Sequence, residues 1–145
     1  MKHENAIQGL KLASMATIAF GLAMAIFPAT SLKFLFDWFL DLAHLPLDRA
    51  QNIDSDSEAL LMAISGGLMV GLGTLVWQVT ELVYARTPQH GRKILLPGLL
   101  AWYLPDCFGS YLAGAWFNLL MNTGFLALFL VPLLLGSKQE QTTAA

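Results

Sequence analysis

Charge is scarce in this chain, and so are the residues that most soluble enzymes depend on. Only 12% of the 145 residues are charged, against about 25% in a typical soluble domain. The net charge of -2 and the scattered placement of eight Lys and Arg residues leave no basic patch for nucleic acid, so that class of partner is excluded. The single cysteine, Cys107, excludes an internal disulfide. The three histidines, His3, His44 and His90, all stand in polar segments, so the chain alone offers no bis-histidine haem ligation within a bilayer. No HExxH, CxxC, Walker or GxGxxG pattern occurs. No metal ligand set and no cofactor is identifiable from the residues.

What fills the sequence instead is apolar: 56% of residues are hydrophobic. Long apolar runs of this kind predict an all-α membrane protein, since a bilayer core of about 30 Å takes roughly 20 residues of helix. Four spans are expected in a single integral membrane domain, at about residues 10–28, 58–84, 93–113 and 117–135. The first competes with a signal peptide, because Lys2 and Lys11 flank an apolar stretch and Ala23–Ala25 has the Ala-x-Ala spacing; it is read as a retained span. Ser55 and Glu58 have the spacing of a capping box ahead of the second span. The third and fourth spans are joined by a turn at Gly114–Trp116, which makes them antiparallel neighbours.

Between the first two spans, residues 31–45 place Lys33, Asp37, Asp41 and His44 on one side and Leu32, Leu35, Phe36, Phe39 and Leu40 on another. That pattern predicts an amphipathic helix at the bilayer surface. The alternative is a first span that continues past a kink at Pro28. Orientation follows the placement of Lys and Arg: six of the eight fall on the side of the N-terminus (Lys2, Lys11, Arg86, Arg92, Lys93 and Lys138) and two, Lys33 and Arg49, on the other. Both termini are therefore expected in the cytoplasm, with an acidic face outside.

Helices gain no hydrophobic advantage from meeting one another in lipid, so small residues and hydrogen bonds mark their contacts. Gly21 in the first span, Gly67 and Gly71 in the second and Gly109 in the third are the expected packing glycines. One polar residue stands apart. Asp106 lies about 18–20 Å from the Arg92–Lys93 end of its span. An acid at that depth costs several kcal/mol unless it faces the bundle interior, a partner or water. Asp106 and Asn122 are each eight residues from Gly114, so the hairpin sets them at one depth, with Ser110 opposite Asn118. Ser65 reaches the same level from the second span, and Trp102 lies one turn deeper than Asp106. Pro105 removes a helix hydrogen bond and frees the Ala101 carbonyl beside the acid. Two readings stay open: a hydrogen bond from Asp106 to Asn122 that locks the hairpin, or a binding site of Asp106, Asn122, Asn118, Trp102 and Ser65.

The length, the segment after Pro28, the second span LLMAISGGLMVGLGTLVW and the hairpin LLAWYLPDCFGSYLAGAWFNLLMNTGFLALFLVPLLL together resemble the DoxX-like group of small four-helix bacterial membrane proteins. The resemblance runs from about Leu10 to Leu135. It implies a four-helix membrane bundle of the bacterial inner membrane and no established reaction. Members of the wider group are associated with redox or quinone-linked complexes, and distant four-helix relatives bind sterol-like ligands; no residue role carries over to this chain.

Three functions are compatible with these residues. The first is binding of a small hydrophobic molecule or lipid between the helices near Asp106. The second is an accessory or assembly subunit that meets a membrane protein partner, or a further copy of itself, through its helix faces. The third is a proton-coupled transporter, which with four short spans would act as an oligomer. An enzyme ranks below all three, because Asp106 has no basic or nucleophilic neighbour at its depth.

Overall fold

The computed structural model of the protein describes residues 1–136; Lys138, counted above for orientation, lies outside them. Five helices follow one another: α1 (His3–Ile26), α2 (Lys33–His44), α3 (Asp56–Val79), α4 (Pro88–Leu112) and α5 (Trp116–Gly136). No strand occurs among the described residues. Three segments are long and apolar enough to cross a membrane, namely His3–Ala29, Asp56–Tyr84 and Trp116–Gly136. The α4 helix is as long, at 25 residues, but Pro97, Pro105 and Asp106 dilute its apolar run.

Each boundary has a local cause. After Ile26 the chain tightens into a 3-10 turn at Phe27–Ala29 with Pro28 inside it, which ends α1. The chain then turns back, and α2 lays Phe36 and Phe39 against Phe20, with ring centroids 5.8 and 5.4 Å apart. The segment after Pro28 is thus a separate helix and not a prolongation of α1. The α3 helix begins with the expected capping box: the Ser55 hydroxyl accepts from Glu58 N–H at 3.2 Å, and the Glu58 carboxylate accepts from Ser55 N–H at 2.8 Å. Ser55→Ala is expected to cost about 1 kcal/mol of local stability. Faster hydrogen exchange at the Glu58 and Ala59 amides, with the rest of α3 unchanged, is the reading that checks it. At its far end α3 widens into a π-turn, Thr80–Tyr84. The α4–α5 turn is closed by Gly114 at φ +76, where the Ala115 N–H donates to the Ser110 carbonyl at 2.9 Å.

The most extensive contact is between α1 and α3. Gly21 and Gly66 sit where the two backbones cross, and Gly73 lies against Ser14 and Thr17. The hydroxyls on this seam do not hold the helices apart. Those of Ser14, Thr17 and Thr80 donate to the carbonyls of Leu10, Ala13 and Val76 on their own helices at 2.7–2.8 Å. Of the four expected packing glycines, Gly21 is at a helix contact. Gly67, Gly71 and Gly109 face open space within the chain. The reason is helical phase: Gly66 is one residue from Gly67, and at 3.6 residues per turn one position rotates the face by about 100°.

The core fills only one half of the bundle. Leu10, Tyr84, Leu95, Leu99, Phe129 and Leu133 form its centre, where the start of α1, the π-turn, the start of α4 and the end of α5 converge. The opposite half is looser.

Candidate functional site

The looser half holds a cavity of about 590 Å³ walled by α1, α2, α3, α4 and α5. All five residues singled out in the sequence line it: Ser65 from α3, Trp102 and Asp106 from α4, Asn118 and Asn122 from α5. Asp106 arrives there because α4 runs through Pro97 and Pro105 with both rings on its exposed side, leaving the acid on the inner side.

The polar groups form a short relay. Asn118 Nδ2 donates to Ser110 Oγ at 2.8 Å, and Ser110 Oγ donates to Asp106 Oδ1 at 3.3 Å. The predicted pairing of Ser110 with Asn118 is therefore present. No hydrogen bond joins Asp106 to Asn122, whose Nδ2 is buried without a partner. Higher up the hairpin, Tyr103 and Thr123 hydroxyls meet at 2.8 Å.

The remaining walls are aromatic and thioether. Trp102 and Phe125 stand edge to face at 5.8 Å on one side, and Phe20 and Phe39 do the same at 5.4 Å on the other. Met24, Met69 and Met121 fill between them. Phe39 comes from α2, a contribution that sequence reasoning missed because it depends on the chain folding back after Pro28. Leu68 lines the cavity and is also 71% exposed, so the mouth is on the flank of the bundle beside α3.

Two other polar groupings lie away from this cavity. The Lys33–Asp37–Asp41 side of α2 is partly covered: Asp37 accepts from Lys33 at 2.8 Å and from the Ile53 N–H at 2.9 Å, and Asp41 is 3% exposed. The loop after α2 covers this side, while Phe34, Leu35 and Trp38 are exposed. At the other end Lys11 pairs with Glu81 and lies 5.2 Å from the Trp77 ring centroid. Among the described residues no group of three or more His, Cys, Asp or Glu side chains is placed to hold a metal ion.

No protein-family model matches the chain, and no curated protein or solved structure is significantly similar to it.

Proposed function

We propose that this protein is a four-span membrane protein that binds a small hydrophobic or lipid-like molecule in the cavity beside Asp106. The observation that carries the reading is the cavity itself: residues from five helices surround about 590 Å³ of space that is mostly apolar and has a few convergent polar groups, the usual make-up of a small-molecule site. The α4 helix is the fourth span, since its 25 residues extend about 37 Å. In this arrangement α2 lies at the outer interface with Phe34, Leu35 and Trp38 in lipid. Both termini are cytoplasmic in this reading, in keeping with the bias of Lys and Arg, and the resemblance to the DoxX-like group favours a bacterial inner membrane.

Ser65→Phe adds a ring to the cavity wall without touching the α1–α3 seam. In native mass spectrometry after incubation with a membrane phospholipid or a monoacylglycerol, the parent protein is expected to carry a one-to-one adduct. The variant is expected to lose it by about tenfold, since filling the site leaves the ligand nowhere to pack. Equal adduct on both proteins sinks the reading.

A further inference from the structure

We infer that the cavity selects lipophilic cations, which enter it sideways from the bilayer. The inference rests on the binding role proposed above and adds the charge and the route of the ligand.

The charge follows from what the walls contain. Among the described residues Asp106 is the one ionisable side chain in the lining, which includes no Lys, Arg or His. Two of the basic groups on the wall helices are engaged elsewhere, Lys11 by Glu81 and Lys33 by Asp37. Among the described residues the side-chain hydrogen bond reaching Asp106 is the long one from Ser110, at 3.3 Å. Asn118, the next donor, is already committed to that same hydroxyl. Where it is ionised, an acid at this depth is stabilised by a partner cation or by water, and an apolar ligand would supply neither. The aromatic pairs point the same way. Trp102, Phe125, Phe20 and Phe39 line the cavity as two edge-to-face pairs, and aromatic rings attract a desolvated organic cation. Methionine side chains between them adapt to ligand shape. Among the described residues an anion would meet one carboxylate, no positive group and a single neutral donor, Asn122 Nδ2.

The route follows from the mouth. Leu68 lines the cavity while standing 71% exposed on a helix apolar enough to span the membrane. The opening therefore faces lipid at the flank, and α2 covers the cavity beside it with Phe39. Exposed Asp54, Asp56 and Glu58, at the start of α3, add negative charge about 10–16 Å above Ser65 and concentrate cations at that surface.

Tetraphenylphosphonium and tetraphenylborate test the charge directly, being nearly identical in shape and opposite in sign. Binding of each is measured by equilibrium dialysis against the protein in lipid nanodiscs, with empty nanodiscs of the same lipid subtracted. The phosphonium is expected to bind at least about tenfold more tightly than the borate, and Asp106→Asn to remove about tenfold of its affinity. The comparison of the two ions uses the unaltered protein, so it stands even where the variant fails to fold. Equal binding of the two ions overturns the cation inference and leaves the binding role intact. Failure of both ions and of the neutral monoacylglycerol to bind removes the binding role, and the inference with it.

Discussion

Replacing Gly66 with valine is expected to destroy the α1–α3 crossing, whereas the same change one residue later at Gly67 leaves it in place. A side chain at Gly66 would run into the Gly21 carbonyl and the Ala25 amide, with Ala25 Cβ 3.0 Å away. From the other side, a Cβ at Gly21 would lie 2.6 Å from the Gly66 carbonyl and 2.9 Å from the Val70 amide. These obstacles are backbone atoms, so no rotamer change relieves them, and the helices must separate. Separation forfeits contacts along the seam that includes Gly73, Ser14 and Thr17, which in lipid have only packing to hold them. Overpacking of this kind costs about 3 kcal/mol. A Cβ at Gly67 meets nothing within 4 Å, so Gly67→Val is expected to stay within about 0.5 kcal/mol of the parent. Reversible unfolding in mixed micelles measures both. Equal midpoints for the two variants would show that the crossing does not depend on Gly66.

That one-residue distinction also marks how far the sequence could be read. The apolar runs announced helices because their length is a property of composition, and the Ser55–Glu58 cap announced where α3 begins. Asp106, Asn118 and Asn122 were legible for a similar reason: equal distance from Gly114 sets Asp106 level with Asn122 and Ser110 level with Asn118 whatever else the chain does. Facing direction was harder. The α3 run contains Gly66, Gly67, Gly71 and Gly73 among apolar residues on every side, so its pattern holds no phase, and the G-x-x-x-G spacing drew attention to the face that points outward. The cover over Asp37 and Asp41 was illegible, because it depends on the path of the loop that brings Ile53 back across α2. In α1 the polar residues are sparse, and Ser14 and Thr17 lie with Gly21 on its buried side.

Tyr84 was illegible from sequence too, and its loss is expected to be the second large effect. An aromatic residue at the end of an apolar run reads as an interface anchor, yet Tyr84 has no exposed surface. The π-turn at Thr80–Tyr84 shifts the helical phase at the end of α3 and carries the ring into the point where the other helices converge. There it packs 5.3 Å from the His3 ring of α1, and Gly91 of α4 has no room for a Cβ because the Tyr84 backbone and Cβ lie 2.6 Å from that position. Gly136 of α5 likewise leaves space for the Tyr84 hydroxyl, which donates to the Pro132 carbonyl at 3.5 Å. Tyr84→Ala therefore empties a site bounded by α1, α4 and α5 at once and should cost about 3–5 kcal/mol. Tyr84→Phe keeps the ring and gives up only the hydroxyl, so a clearly smaller loss than with alanine is expected. The loss with alanine falls in the packed half of the bundle, away from the cavity that Ser65 and Asp106 line. A folded Tyr84→Ala protein in nanodiscs should then still bind the phosphonium ion with parental affinity while unfolding at a much lower midpoint. Loss of affinity without loss of stability would show that the two halves are coupled through the helices and that the packed end is not an independent brace.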